Sequence, residues 1–189
     1  MFNGTPSKTA LRERLLAARS TRGRAALDAA ADGLADHGIA LCRDARMVAA
    51  YVAITGEPPT HLLLDALRAK GIEVLLPVIA GDGLDWARDV GSRVNGPLGI
   101  AEPAGPRLGG DALAAADIVV VPALAVDRRG RRLGRGRGFY DRSLSALDRS
   151  GRAIVACVFD EEVLEDIPAE AHDVAVDAAL TPSGVVRLG

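Results

Sequence analysis

The stretch that decides the fold is residues 117–142, which read DIVVVPALAVDRRGRRLGRGRGFYDR. It opens with a continuous apolar run, Asp117–Val121, which Pro122 stops. Such a run is typical of a strand buried on both faces of a parallel sheet. A basic, glycine-rich loop follows, and a predicted helix runs from Phe139 to about Asp148. A strand, a loop and a helix in this order predict an α/β fold with a ligand site at the loop.

Strands and helices alternate on both sides of this stretch. The run Met47–Ile54, a helix near Thr60–Lys70 and the run Ile72–Val78 form a βαβ unit, which favours parallel strands with a right-handed crossover. The other predicted elements are a helix Thr5–Arg19 with Thr5 or Ser7 as N-cap, a helix Arg24–Leu41, a strand within Gly81–Asp89, a Gly/Pro-rich loop Val94–Leu108, a buried strand Ala153–Phe159 and a last, edge strand Val174–Leu180. We therefore expect an α/β fold: a single three-layer domain over residues 1–189, with a mostly parallel central sheet and helices on both faces.

Composition limits the classes of protein that this chain can belong to. Hydrophobic residues make up 49% of the 189 residues and charged residues 25%, which suits a domain with a real core. No run of about 18 apolar residues is present, and the N-terminal residues lack the apolar core of a secretory signal. Cys42 and Cys157 lie far apart, as expected for reduced thiols. We expect a cytoplasmic protein with no membrane partner.

The glycine loop has the composition of a phosphate-binding loop. Gly134, Gly136 and Gly138 precede a predicted helix, so their N–H groups can approach an anion closely. Arg135 and Arg137 alternate with them and can each contact phosphate oxygens. Asp141 follows in the first turn of the helix, where a carboxylate could hold Mg²⁺ against the same phosphates.

Other interpretations of this loop stay open at the level of sequence. The loop matches neither G-x-G-x-x-G nor G-x-x-x-x-G-K-[ST]. It could be a solvated basic turn, and Asp141 an ordinary first-turn acid favoured by the helix dipole. It could also bind RNA, although a net charge of −2 and 3% aromatic residues argue against nucleic acid as a partner.

The run VPALAVDRRGRRLGRGRGFYDRSL, residues 121–144, resembles the signature of the 5-formyltetrahydrofolate cyclo-ligase family, the methenyltetrahydrofolate synthetases. Members carry P-G-L-A-F-D and RLGRGxGYYDR at this place. Weaker matches occur in the family's order along nearly the whole chain: SKTALR at 7–12, YVAITGEPPT at 51–60, GIAEP at 99–103 and PAEAHDVAVD at 168–177.

The resemblance implies a ligase of one-carbon folate metabolism with ATP and Mg²⁺ as cofactors. ATP would phosphorylate the formyl oxygen of 5-formyltetrahydrofolate, and the neighbouring folate nitrogen would then displace phosphate to give 5,10-methenyltetrahydrofolate. Phosphoryl transfer demands positioning and charge neutralisation above all. The chain offers arginines, glycine amides and carboxylates for that purpose.

The same resemblance implies a role for individual residues. ATP-binding positions are Lys8, Arg12, Leu133, Gly134, Arg135, Gly136, Arg137, Gly138, Phe139 and Tyr140. Catalytic positions are Arg135, Arg137 and Tyr140; substrate-binding positions are Val52, Glu57 and Tyr140; Mg²⁺ positions are Asp141 and Asp173. A carboxylate at Glu57 can accept two hydrogen bonds from an amino-pyrimidine edge.

The sequence departs from the family's pattern at a few places. Ala123 replaces a glycine, Val126 a phenylalanine and Phe139 the first of two tyrosines, while Arg137 stands where many relatives have Gly or Lys. None of these changes removes a phosphate-binding group. The reduced folate and ATP are the expected partners of a monomer. The alternatives are a homologue that binds folate or a nucleotide without turnover, and an RNA-associated protein.

Overall fold

A computed structural model of the chain describes residues 7–168, 170 and 173–189. Within that part, the α-helices are α1 (Lys8–Ser20), α2 (Arg24–Leu41), α3 (His61–Ala69) and α4 (Phe139–Ser145). Ser7 caps α1 by accepting a hydrogen bond from the Ala10 N–H at 3.2 Å, as predicted. The alternative cap, Thr5, lies outside the described residues. None of these helices is long and apolar enough to cross a bilayer.

Most strands belong to one central sheet. In chain order the strands are β1 (Met47–Ala49), β2 (Glu73–Ala80), β3 (Gly83–Arg88), β4 (Arg93–Asn95), β5 (Ala101–Pro103), β6 (Arg107–Gly109), β7 (Ile118–Pro122), β8 (Ala125–Asp127), β9 (Arg132–Leu133), β10 (Ala153–Cys157), β11 (Val163–Leu164), β12 (Ala178–Thr181) and β13 (Gly184–Arg187). The central sheet has the order β13-β12-β10-β7-β1-β2-β3-β6. Smaller sheets have the orders β11-β8-β9 and β4-β5.

The centre of the main sheet is parallel, as the sequence predicts. β12, β10, β7, β1 and β2 run parallel, and β13, β3 and β6 add antiparallel edges. The chain leaves β1 through α3 to β2 on one side, whereas β7 lies on the other side of β1 and leads to β10. The strand order therefore reverses between β1 and β7, and ligands bind α/β sheets in the crevice at such a point.

Helices cover both faces of the sheet. On one face, α2 and α3 bury Leu34, Leu63 and Leu67 against the strands. On the other face, α4 packs Leu144 against a cluster centred on Trp86. α1 lies apart from both and packs Leu11 and Leu15 against β8 and β9. The predicted α/β class is confirmed, and α1 is free to border the loop that follows β9.

The predicted strand Met47–Ile54 is correct only over its first three residues. After the Ala50 N–H bonds to Leu75 O at 2.9 Å, loop side chains take the next backbone donors. The Ala53 N–H donates to Thr60 Oγ1 at 3.1 Å, and the Ile54 N–H donates to the Glu57 carboxylate at 3.1 Å. A run of apolar residues indicates burial and does not by itself indicate strand pairing. Here Tyr51 is still buried although strand pairing has ended.

Two further predictions need correction. The last edge strand is not Val174–Leu180: the strand there is Ala178–Thr181, and it is internal because Gly184–Arg187 returns antiparallel beside it. The predicted loop Val94–Leu108 contains parts of β4 and β6 and all of β5. Strands of three residues are too short to show a period-2 pattern, so periodicity could not predict them.

A buried ion pair fixes α1 to the rest of the molecule. Arg19, only 3% exposed, donates from Nε and Nη2 to the two oxygens of Glu162, each at 2.7 Å, and also to the Ala123 carbonyl at 2.6 Å. Phe159 lies beside the guanidinium, 5.6 Å from its carbon to the ring centre. Because Ala123 follows β7 at the crevice, the hydrogen bond from Arg19 ties α1 to this end of β7.

Neutralising one partner of this pair is expected to destabilise the fold strongly. Glu162→Gln leaves the Arg19 charge buried and uncompensated, which should lower the free energy of unfolding by about 3–5 kcal/mol. Equilibrium unfolding in urea measures the change. The matched control is Glu161→Gln, because Glu161 is exposed and pairs with Arg22 at the surface, where the loss should stay below about 1 kcal/mol. Equal midpoints for the two variants would contradict the prediction.

Candidate active site

The candidate site lies in the crevice between β1 and β7. Tyr51 and Val52, which follow β1, line it together with Glu57 in the next turn. Pro122 and Ala123, at the end of β7, line it as well. The reversal of strand order thus places two chain segments that are distant in sequence side by side.

The hairpin β8–β9 brings the glycine loop to this crevice. Asp127 is fully buried, and its Oδ1 accepts from the N–H groups of Arg129 and Arg131 at 3.0 Å each. Its Oδ2 accepts from Arg131 Nε at 2.6 Å and from the Ile167 N–H at 3.2 Å. A carboxylate with this many donors holds the tip of the hairpin in one conformation. The loop after β9 therefore starts from a fixed base.

The glycine loop is the wall between two pockets. Gly136 and Gly138 have positive φ angles of 95° and 70°, which side chains other than glycine rarely adopt. Gly134, Gly136 and Gly138 line both pockets. The larger pocket, about 490 Å³, is also lined by Arg135, Arg137, Phe139 and Tyr140, together with Val52 and Glu57. The smaller, about 100 Å³, is also lined by Lys8, Arg12, Leu133 and Asp173, and Asp141 and Arg132 border both.

The predicted ATP-binding residues are thereby divided between two sides of one loop. The backbone and the α1 cations face the smaller pocket, whereas the side chains between the glycines face the larger one. Because the glycines lack side chains, they border both pockets, whereas Arg135 and Arg137 between them line only the larger one.

The smaller pocket is polar and holds both signs of charge. Lys8 Nζ lies 2.7 Å from Asp173 Oδ2 and 3.2 Å from Glu170 Oε2. Arg12 Nε donates to the Gly134 carbonyl at 2.9 Å, so α1 supports the glycine loop directly. Lys8 and Arg12 are four residues apart on one helix and share a face, as the sequence predicts. The tertiary structure brings Asp173 to that face from a segment 165 positions away.

Sequence reasoning missed one residue of the site, Arg132. It is 5% exposed, pairs with Asp141 Oδ1 at 2.5 Å and donates to the Pro122 carbonyl at 3.3 Å. Its Nε is buried without a hydrogen-bond partner in the described part of the chain. Arg132 is the first residue of the RLGRG motif, and this place in the motif is the sequence feature that could have identified it as a site residue. A basic run alone does not distinguish Arg132 from its exposed neighbours Arg128 and Arg129.

In the larger pocket, two of the predicted functional residues contact each other. Arg135 Nε donates to Glu57 Oε1 at 3.1 Å, and the other oxygen of Glu57 accepts from the Ile54 N–H. Burial raises the pKa of Glu57 above its ordinary 4.5, although both of these partners act to lower it. Burial also raises the pKa of Tyr140, so its hydroxyl remains a neutral hydrogen-bond donor.

The carboxylates of the smaller pocket fit the way in which Mg²⁺ is bound beside phosphates. Among the described residues, no group of three or more His, Cys, Asp and Glu side chains could hold a metal. Mg²⁺ does not need one, since it is commonly held by one or two carboxylates, water and substrate phosphates. Asp141 and Asp173 supply that number of carboxylates on one pocket.

These features define a class: an α/β protein with a basic, glycine-rich loop between a polar pocket and a larger, more apolar one. The model of the 5-formyltetrahydrofolate cyclo-ligase family matches residues 4–182. A 5-formyltetrahydrofolate cyclo-ligase of Mycolicibacterium smegmatis is 42% identical over 96% of this chain and 97% of its own. The chain belongs to the 5-formyltetrahydrofolate cyclo-ligase family, a family of enzymes, as the resemblance of residues 121–144 implied.

Solved structures agree with this assignment. The Aquifex aeolicus 5,10-methenyltetrahydrofolate synthetase has a TM-score of 0.82 at 28% identity, over 96% of this chain and 92% of its own. The Mycoplasma pneumoniae 5,10-methenyltetrahydrofolate synthetase has a TM-score of 0.75 at 18% identity, over 93% of this chain and 98% of its own, and shows the shared fold alone.

Proposed function

We propose that this protein is an ATP- and Mg²⁺-dependent ligase that converts 5-formyltetrahydrofolate to 5,10-methenyltetrahydrofolate and releases ADP and phosphate. The observation that carries the proposal is the glycine loop, which separates a small pocket bearing cations and carboxylates from a cavity of about 490 Å³. Direct phosphoryl transfer between two substrates requires them to meet at such a boundary. Membership of the cyclo-ligase family supports the identity of the substrates.

The smaller pocket suits the phosphates of ATP. Lys8 and Arg12 supply positive charge from α1, and the glycine N–H groups supply hydrogen-bond donors without side chains in the way. Asp141 and Asp173 are the residues that would hold Mg²⁺, which neutralises charge on the phosphates when it is bound. Lys8 pairs with Asp173, which holds this cation at the pocket.

The larger cavity suits the reduced folate. Glu57 lines it with a carboxylate that can accept two hydrogen bonds from the amino-pyrimidine edge of the pterin. Val52 and Tyr140 provide apolar surface, and cavities of roughly 300–1,000 Å³ are typical for small organic ligands. Phe139 retains an aromatic ring at its position and lies beside the Arg142 guanidinium.

The reaction then follows from the contacts of the loop. The formyl oxygen attacks the γ-phosphorus of ATP, and ADP leaves with the electrons of the broken P–O bond. Arg135 and Arg137 stabilise the charge on the transferring phosphoryl group, which is the main catalytic requirement of phosphoryl transfer. The neighbouring folate nitrogen next attacks the activated formyl carbon and forms the new ring. Phosphate finally leaves with the electrons of the C–O bond.

The ion pairs of the arginines in residues 128–142 favour a small anion over a nucleic acid as the ligand. Four of the seven arginines in this segment pair with carboxylates of the same chain, namely Arg128, Arg131, Arg132 and Arg135. A surface for nucleic acid would present these cations to phosphates of the backbone instead. The cytoplasmic location and the monomeric state stay predictions.

A turnover assay tests the proposal. The protein with ATP, Mg²⁺ and 5-formyltetrahydrofolate should form methenyltetrahydrofolate, followed by its near-ultraviolet absorbance, with one ADP released per product. Omitting ATP or chelating Mg²⁺ should stop the reaction. Folded protein that binds both substrates by calorimetry but forms no product would instead be the non-catalytic homologue. Binding to an oligonucleotide at moderate salt, with no product, would favour the RNA alternative.

A further inference from the structure

A second buried carboxylate lines the larger cavity, at a position to which the proposed function gives no role. Glu102 lies in β5, within the GIAEP segment, and is 4% exposed. It borders the same cavity as Glu57, together with Ile79 and Ala101. Carboxylates are rarely buried to this extent without a structural or chemical reason.

The surroundings of Glu102 fix the group in one place. Oε1 accepts from the Ile79 N–H at 2.9 Å, and Gly96 packs so closely that a Cβ on it would overlap the Glu102 side chain. Oε2 forms no hydrogen bond within the described part of the chain and pairs with the Arg107 guanidinium at 3.6 Å. One oxygen is therefore anchored, and the other retains capacity to accept a hydrogen bond.

The proposed reaction needs a proton acceptor in this cavity. The nitrogen that closes the ring is N10 of the folate, and it carries a hydrogen that the product lacks. Of the described residues that line the cavity, those with a carboxylate are Glu57, Glu102 and Asp141. Glu57 is assigned to the pyrimidine edge, and Asp141 pairs with Arg132 and faces the phosphates. Glu102 has no competing task.

We propose that Glu102 accepts the N10 proton as the ring closes, an inference that rests on the proposed function. The N10 electron pair forms the bond to the activated formyl carbon, the N10–H bond breaks, and the proton moves to Glu102 Oε2. Phosphate then departs with the C–O electron pair. The product is an amidinium cation, so the negative charge that Glu102 carries before proton transfer also favours the developing positive charge.

The experiment compares Glu102→Gln with the wild type in a single turnover, following ADP and methenyltetrahydrofolate separately. The variant keeps the shape of the side chain and the oxygen that binds the Ile79 N–H, but it cannot accept a proton. We expect methenyl formation to slow by about 100-fold or more, as for loss of a general base. ADP should form ahead of the methenyl product, and calorimetry should show folate affinity little changed. A residue with only a structural role would not separate the two products.

Two further variants complete the test. Glu73→Gln makes the same change at an exposed glutamate of β2 outside the cavity, and it should match the wild type. Glu102→Asp keeps a carboxylate one methylene shorter, and it should close the ring faster than Glu102→Gln. Methenyl formation at the wild-type rate in Glu102→Gln would overturn the proposal. So would equal losses in the Gln and Asp variants with ADP and product still in step. A wild type without product would refute the proposed function and not the role of Glu102 alone.

Discussion

Replacing Arg135 by alanine is expected to slow methenyltetrahydrofolate formation by about 10²–10³-fold, the usual cost of removing one preorganised donor to a charged transition state. Arg135 lies on the glycine loop between the two pockets, where the transferring phosphoryl group would pass. Its Nε donates to Glu57 Oε1 at 3.1 Å, and both residues line the larger cavity. The rate at saturating ATP and folate measures the effect, because it separates transition-state stabilisation from substrate binding.

Two variants make this prediction specific to the position of the charge. Arg129→Ala removes an arginine from the same basic run at an exposed place outside both pockets, and we expect an unchanged rate. Arg135→Lys keeps the charge but loses the planar fork, so its rate should lie between the wild type and Arg135→Ala. If Arg135→Ala and Arg129→Ala turned over equally well, the loop would not be the site of phosphoryl transfer.

Replacing Glu57 by glutamine is expected to weaken folate binding by about 30- to 1,000-fold, since truncating one side of a buried, charged hydrogen-bond pair costs about 2–4 kcal/mol. The amide has only one acceptor oxygen, and its NH₂ group would face the amino group of the pterin. Affinity for ATP should change little, because Glu57 does not border the smaller pocket. Calorimetric titration with each ligand measures both effects, and exposed Glu165→Gln is the control.

The raised pKa of Glu57 predicts the direction in which folate affinity changes with pH. Burial raises the pKa of Glu57, so its ionised form is lost on acidification at a higher pH than for a glutamate of pKa 4.5. Folate affinity of the wild type should fall as the pH drops through that raised pKa, and Glu57→Gln should not show this change. Equal pH profiles for wild type and variant would contradict the assignment of Glu57 to the pyrimidine edge.

The same raised pKa has a consequence for stability. The folded state holds the Glu57 proton more tightly than the unfolded state, so stability falls as the pH rises through the folded pKa. At neutral pH, Glu57→Gln should therefore unfold at a higher denaturant concentration than the wild type, and the difference should vanish at acid pH. A variant that is more stable but binds folate poorly is the signature of a residue kept for function.

The contact between Arg135 and Glu57 connects the two halves of the proposed reaction. Arg135 is assigned to the phosphoryl group and Glu57 to the pterin, and the two side chains pair with each other. The pair places a cation next to a buried carboxylate, which limits the cost of burying it. The residue proposed to contact the phosphoryl group therefore directly contacts the residue proposed to bind the pterin.

Much of the architecture could be predicted from periodicity. Asp117–Val121 and Ala153–Phe159 are runs of apolar residues bounded by turns, and both form central parallel strands as expected. Arg24–Leu41 forms a helix with the predicted bounds. The predicted strand bounds were wrong where the burial of a residue and its backbone pairing in the sheet do not coincide. Tyr51 stays buried although strand pairing has ended, and loop side chains accept hydrogen bonds from the backbone N–H groups of Ala53 and Ile54. Gly184–Arg187 is a strand because β12 offers it an unpaired edge.

The sequence by itself determined the α/β class, the glycine loop after β9 and the residue types able to bind phosphate, since these depend on neighbours within about twenty positions. Only the tertiary structure decided which distant groups meet. Lys8 reaches Asp173, Arg135 reaches Glu57, and Arg132 turns inward to Asp141 while other arginines of its run stay exposed. Glu102 becomes a cavity carboxylate only because β5 packs beside β2. The physical reason is that local preferences fix the elements, whereas sheet order and side-chain packing fix the distances between them.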